Sequence, residues 1–187
     1  GIPYPDLFIT SVGSEINYGK KLVPDRTWQK HLAYKWHPEK IRAVMEQLKG
    51  FKLQRKIDQR QYKISYDIDP KIAPGKRKII RHLRQNDLQV KVIHSHNAYL
   101  DILPIRASKG LAVRYLGIKW GINPDQILVA GDSGNDEEML RGETLGVVVG
   151  NYSPELKRLL GKPKIYFASQ SFARGIIEGI EFYEFLN

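Results

Sequence analysis

Four apolar residues, Ile127 to Ala130, lead straight into Gly131-Asp132-Ser133-Gly134-Asn135-Asp136. A short apolar run ending in glycine reads as a buried strand and a tight turn, and strands of open α/β sheets deliver functional groups to the crevice at their carboxyl ends. Asp132 falls at that end. Gly131 and Gly134 free the backbone to turn sharply and come close to a ligand, while Asn135 and Asp136 begin the next helix facing the same spot. Two acids so placed offer hard oxygen donors of the kind that suit Mg²⁺, which takes one or two protein carboxylates and fills its shell with water and substrate phosphate. An isolated Gly-Asp pair would be an Asx-capped turn; the longer run after a strand is far more restrictive.

Upstream, Arg106-Ala-Ser-Lys109-Gly110 opens a helix that continues from Leu111 to Trp120. At a helix N-terminus the unpaired N–H groups and the dipole favour an anion, and the Lys109 ammonium adds a point charge. A lone lysine there is ordinarily a solvated surface residue.

From Lys109 onward the pattern predicts regular alternation. A helix runs to Trp120, a strand over Ile127–Ala130, a helix over Asn135–Leu140 and a strand over Leu145–Val149. A helix over Pro154–Leu160, a strand over Lys164–Phe167 and a last helix from Ser171 follow. Such spacing predicts an α/β fold with a parallel sheet. Leu7–Val12 reads as a buried core strand, and Glu15–Leu22 as an alternating hairpin exit through Tyr18-Gly19. Between them and the alternating half the pattern changes. A helical stretch from Trp28 to Leu48 precedes strands at Lys52–Ile57 and Gln61–Ile68, a helix at Lys76–Arg84, and strands at Val90–Ile93 and Tyr99–Leu103.

Charge marks the same boundary. Lys20 to Pro104 holds 20 Lys and Arg against 8 Asp and Glu, whereas the remainder holds 10 against 12, so the net +10 belongs to the middle segment. We therefore expect a parallel core in two parts, 1–19 and 105–187, interrupted by an α+β cap at 20–104. The basic face of Lys76, Arg77, Lys78, Arg81 and Arg84 reads as a solvated helix surface opposite Ile79, Ile80 and Leu83. No nucleic-acid partner is expected, because the insert lacks the interleaved aromatics of a single-strand platform. His94 and His96 read as ordinary turn histidines. The absence of cysteine excludes disulfides, thiolate metal sites and cysteine nucleophiles. With no apolar run near the roughly 20 residues of a membrane span, and no signal-like start, a cytoplasmic protein without membrane partners is expected.

The Asp132 turn resembles the fourth motif of the haloacid dehalogenase (HAD) superfamily of phosphotransferases. That superfamily carries its phosphate-binding lysine about one βα unit earlier, where Lys109 stands. The resemblance implies a HAD-like Rossmannoid parallel-sheet core with an inserted α+β cap domain. Within the superfamily the chain is similar to the sucrose-phosphate phosphatases and to the phosphatase-like C-terminal domain of sucrose-phosphate synthases. The residues that carry this are Ser11-Val-Gly-Ser-Glu15-Ile-Asn-Tyr-Gly19, Gln59-Arg60, Lys63-Ile-Ser65, Leu100-Asp101-Ile-Leu-Pro104, Ser108-Lys109-Gly110 and Arg114 to Ile122.

Several expectations follow from the resemblance. Lys109, Asp132, Asn135 and Asp136 are catalytic candidates, with Lys109 binding a phosphate oxygen, Asp132 and Asp136 holding Mg²⁺, and Asp136 and Asn135 positioning the metal waters or the lysine. Glu15, Gln59, Lys63 and Asp101 are candidates for contacts to the sugar, with a structural ion pair an equal reading for Arg60 and Asp101. The substrate implied is a phosphorylated sugar, sucrose 6-phosphate, and the partner implied is a synthase glycosyltransferase domain, fused or associated. The alternative is a non-catalytic regulatory or sugar-phosphate-binding domain of such a synthase.

One departure bears on the chemistry. Superfamily members attack phosphorus with the first Asp of an Asp-x-Asp motif on the first core strand and bind phosphate with a Ser or Thr after the second. Neither precedes Leu7, so we expect about 40 further residues, two βα units of ordinary length, upstream in the same domain. Without them the covalent route lacks its nucleophile, and this chain alone is expected to be inactive. Asp67-Ile-Asp69 has the right spelling but lies in the basic insert and runs into Pro70, which reads as a strand end.

Overall fold

The structure, a computed structural model, describes residues 3–95 and 98–186 and divides into two compact units, 1–107 and 108–187. The first unit opens with an antiparallel ribbon of β1 (Leu7–Thr10), β2 (Glu15–Tyr18) and β3 (Val23–Pro24), with Leu7 opposite Tyr18 and Thr10 opposite Glu15. The strand expected over Leu7–Val12 is half-buried and stops at Thr10. Its backbone leaves the extended region there, because Ser11, Val12 and Gly13 take φ of 51°, 60° and 89°.

The single helical stretch expected from Trp28 to Leu48 is two helices, α1 (Arg26–Leu32) and α2 (Pro38–Glu46). Pro38 is the reason. It lacks an N–H and keeps His37 out of the helical region, so it starts a helix at N1 rather than continuing one. Asp25 caps α1 by accepting from the Trp28 N–H at 2.9 Å.

Four strands then form an antiparallel sheet in the order β4 (Phe51–Leu53), β5 (Ile64–Ile68), β7 (Tyr99–Pro104), β6 (Val90–Ser95), with α3 (Lys76–Gln85) inserted before β6. β4 is shorter than its expected span, since Lys56–Asp58 coil into a 3₁₀ turn. Alternate residues of this sheet bury against α2 and α3 around Ile41, Met45, Ile64, Ile79, Leu83, Leu100 and Ile102, all at most 1% exposed. The five α3 cations are exposed. Asp67 lies in β5 and Asp69 just beyond it: the Asp67 carboxylate accepts from Gln54 Nε2 at 2.8 Å and Asp69 closes an Asx turn onto the Lys71 N–H at 3.0 Å. Of the two histidines, His96 lies outside the described residues.

The second unit is α/β. It contains α4 (Lys109–Trp120), β8 (Leu128–Gly131), α5 (Glu137–Leu140), β9 (Leu145–Val148), β10 (Ile165–Phe167) and α6 (Phe172–Phe182). The strands are parallel in the order β10-β9-β8, with Val129 opposite Gly146 and Val148 opposite Phe167. Two expected helices are tighter than α. Gly134–Asp136 is a 3₁₀ turn leading into α5, and Pro154–Leu159 is 3₁₀ throughout. The core gathers Val129, Leu140, Val148, Leu156 and Leu159. Among the described residues no helix is long and apolar enough to cross a membrane.

Candidate active site

The second unit brings Lys109, Asn135 and Asp136 together. Ser108 caps α4 by accepting from the Leu111 N–H at 3.0 Å, and its own hydroxyl donates to Glu138 Oε1 at 2.9 Å. Lys109 is therefore the first residue of the helix, where the positive end of the dipole disfavours a cation. A negative partner offsets this: Lys109 Nζ donates to Asp136 Oδ1 at 2.5 Å and to Asn135 Oδ1 at 3.1 Å.

Glycines make the approach feasible. A Cβ on Gly110 would lie 2.9 Å from the Glu138 backbone carbonyl, so α4 and α5 could not close to their present spacing with a larger residue there. A Cβ on Gly131 would lie 2.5 Å from the Asp136 Cβ. The strand must thus end in glycine for Asp136 to fold back beneath it.

Asp136 is 5% exposed and both its oxygens are engaged. Oδ2 accepts from the Asp132 and Ser133 N–H groups, each at 3.3 Å, and from Ser133 Oγ at 3.2 Å. The turn is fixed from the other side as well. The Ser153 N–H donates to the Asp132 carbonyl at 2.7 Å, and the Gly134 N–H to Glu155 Oε1 at 2.6 Å. Asp132 differs from Asp136 in every respect. Its residue is exposed, at the carboxyl end of β8, and its carboxylate makes no hydrogen bond or ion pair among the described residues.

This donor set suits Mg²⁺. The cation needs only one or two protein carboxylates, and Asp132, whose backbone N–H donates to Asp136, offers one. Among the described residues no three His, Asp or Glu side chains converge on a point. Asp136, the second metal candidate, spends its two oxygens on Lys109 and the turn.

In the first unit, Gln59, Lys63 and Asp101 meet around a residue whose part in the cluster was not foreseen, Ser65. The register sets Ser65 directly opposite Asp101. Ser65, 1% exposed, donates from Oγ to Asp101 Oδ1 at 2.6 Å and accepts from Lys63 Nζ at 2.8 Å. Lys63 also reaches Asp101 at 3.4 Å. The Gln59 carboxamide clasps the Ser65 backbone, accepting from its N–H at 3.0 Å and donating to its carbonyl at 2.9 Å. Glu15 stands apart, 3.8 Å from Arg60 Nε, so Asp101 pairs with Lys63 and Arg60 with Glu15. Nothing local in the sequence marks Ser65 or Glu155 as partners, because both act across sequence distance.

The family model for sucrose-6F-phosphate phosphohydrolase matches residues 1–184. Sucrose-phosphatase 2 of Nicotiana tabacum is 36% identical over 186 residues, covering 94% of this chain and 44% of that protein. The mannosylfructose-phosphate phosphatase of Agrobacterium fabrum is 33% identical over 181 residues, covering 96% and 73%. A crystal structure of the sucrose-phosphatase of Synechocystis sp. PCC6803, in complex with sucrose and phosphate, superposes with a TM-score of 0.90 at 34% identity, covering all of this chain and 77% of that one. The chain spans less than half the length of the plant relatives it matches. On these matches, and on the α/β core and α+β module they share, the chain belongs to the sucrose-6F-phosphate phosphohydrolase family of the HAD superfamily.

Proposed function

We propose that the chain forms part of a Mg²⁺-dependent phosphatase that hydrolyses sucrose 6-phosphate to sucrose and phosphate. The observation that carries this is the Lys109–Asp136 pair beside an exposed, uncommitted Asp132 at the end of a parallel strand. Phosphoryl transfer asks chiefly for positioning and charge neutralisation. Lys109, one-third exposed, binds a non-bridging oxygen, while Asp136 and Asn135 hold its ammonium in place. Asp132 holds the Mg²⁺, with Asp136 as its second carboxylate or the anchor of its waters, and the ion when bound neutralises charge on the phosphate. Glu15, Gln59, Lys63 and Asp101 serve the sugar hydroxyls or shape their pocket. The core of 1–19 and 105–187, the cap of 20–104, an attacking Asp upstream of β1, a cytoplasmic location and a fused or associated synthase glycosyltransferase domain belong to the same proposal.

The test is phosphate release from sucrose 6-phosphate, with Mg²⁺ and with a chelator, by this chain and by a span that begins further upstream. Release is expected from the longer span only, abolished by chelation and lowered about 10²–10³-fold by Asp132→Ala, the usual scale for one electrostatic group at such a centre. Silence in both spans favours the regulatory reading. Release by the short chain overturns the upstream nucleophile.

A further inference from the structure

Residues 11–13 are held in a conformation that side chains avoid. Ser11, Val12 and Gly13 have φ of 51°, 60° and 89°, and a β-branched residue such as Val12 at positive φ is a genuine outlier. A turn of this kind persists only where its surroundings over-determine it, and such turns cluster at ligand clamps.

The surroundings are identifiable. Ser14, fully buried, returns to the Ser11 carbonyl from its N–H at 3.2 Å and its Oγ at 2.9 Å. Trp28, 1% exposed on α1, donates from Nε1 to the Gly13 carbonyl at 3.2 Å. Trp28 is itself located by Asp25, 3% exposed, whose Oδ1 accepts from the Trp28 N–H and whose Oδ2 accepts from Tyr18 Oη at 2.6 Å.

The turn does one thing visible at the surface. It directs Ser11 Oγ, at 2.6 Å, and Thr10 Oγ1, at 3.0 Å, onto the same oxygen of Glu15, Oε2. Arg60 approaches that oxygen too. Oε1 has no hydrogen bond among the described residues, on a side chain that is 30% exposed. A carboxylate with one oxygen locked by two hydroxyls has a fixed direction for the other, which suits it to accept from a vicinal hydroxyl of a sugar.

We infer that Trp28 is a positioning residue for sugar specificity: through the Gly13 carbonyl it holds the strained turn 11–13, and with Ser11 and Thr10 it aims Glu15 Oε1 at a sugar hydroxyl. The inference rests on the reading above that Glu15 contacts the sugar. Trp28, 1% exposed, acts through the turn. Binding energy held in such an arrangement bears on the sugar and not on the phosphate, which Lys109 serves.

The experiment is to measure dissociation constants for sucrose and for inorganic phosphate, with thermal midpoints, for the wild-type chain, Trp28→Phe and Ser11→Ala. Trp28→Phe keeps the buried ring and removes the Nε1–H donor; Ser11→Ala removes one half-buried hydroxyl and leaves the core untouched. Each variant is expected to weaken sucrose binding about three- to tenfold, the scale of one hydrogen bond, with phosphate unchanged. Should Trp28→Phe lose both ligands together with its fold, Ser11→Ala decides. Unchanged sucrose affinity in Ser11→Ala overturns the inference. Wild-type chain that binds phosphate but not sucrose overturns it while leaving the phosphatase reading standing, whereas a chain that binds neither defeats both.

Discussion

The two polar clusters, Lys109–Asn135–Asp136 in the parallel unit and Lys63–Ser65–Asp101 in the antiparallel one, use the same chemistry on different frames. Both join a lysine to a carboxylate with a serine hydroxyl nearby. In the parallel unit the partners sit where topology always puts functional groups, at a strand's carboxyl end and a helix's first turn. In the antiparallel unit they sit mid-sheet, and register alone makes them neighbours. In the first the carboxylate is closed in: Asp136 is 5% exposed and its oxygens serve four donor groups. In the second the carboxylate is the more open, the Asp101 side chain being 18% exposed against 7% for Asp136, so water can replace more of what its loss removes.

That difference predicts unequal damage. Asp136→Ala strands a lysine at a helix N-terminus, where the dipole opposes it, and leaves two backbone N–H groups without their acceptor. We expect a loss of about 2–3 kcal/mol in urea unfolding, somewhat below the range for breaking a fully buried pair because Lys109 can partly rehydrate. Asp101→Ala should cost less, about 1 kcal/mol, since Ser65 and Lys63 retain each other. Equal losses at the two positions would sink the distinction between a closed and an open carboxylate.

Steric tolerance should divide the clusters more finely. Gly131→Ala places a methyl group 2.5 Å from the Asp136 Cβ, and overpacking at so fixed a point costs about 1–3 kcal/mol. Ser65→Ala, smaller than the native side chain, should cost about 1 kcal/mol through its lost hydrogen bonds. In Gly131→Ala, phosphate affinity should fall with stability; in Ser65→Ala it should not move. Isothermal titration with inorganic phosphate separates the two.

The same contrast explains what could be read from the residues. The Asp132 turn, its strand and the Ser108-Lys109-Gly110 helix start are local, and local spacing fixes them. The βα alternation after Lys109 was legible because periodicity reports burial directly. Pro38 was missed although proline starts helices and does not continue them, because a continuous apolar pattern from Trp28 to Leu48 obscured it. Ser65 opposite Asp101 depends on a pairing of strands separated by α3 and β6, and no spacing rule yields a register. The pairing of Asp136 with Lys109 was legible only as one of two readings, since a carboxylate near a glycine turn reads as metal ligand or as an anchor for the lysine until its neighbours are known. The positive φ of Val12 had no signal at all, a β-branched residue being among the last expected there.

The smallest effects concern pH, where the two units should fail at opposite ends. In the parallel unit Glu178 on α6 accepts from the Ser169 N–H, Tyr166 Oη and the Gln170 N–H, and these hydrogen bonds, the Ser169 one foremost, hold its carboxyl down at about 2 against an ordinary 4.5. A depressed carboxylate contributes stability above its unfolded value and loses it as pH falls from about 4.5 to about 2, because the unfolded chain takes the proton first. In the antiparallel unit burial pushes the Tyr66 phenol up to about 12, its hydroxyl being buried without a partner among the described residues. A raised phenol works the other way. Its contribution is complete below pH 10 and declines as pH rises through 10 toward about 12, since the unfolded chain ionises first. Unfolding monitored across both ranges should therefore show an acid limb that Glu178→Gln flattens and an alkaline limb that Tyr66→Phe flattens, each leaving the other in place. Tyr66→Phe should also change stability at neutral pH by less than about 1 kcal/mol, because it removes a hydroxyl that gains no hydrogen bond on burial. A marked neutral-pH loss in Tyr66→Phe would mean that the hydroxyl has a partner, and the alkaline limb would then need another source.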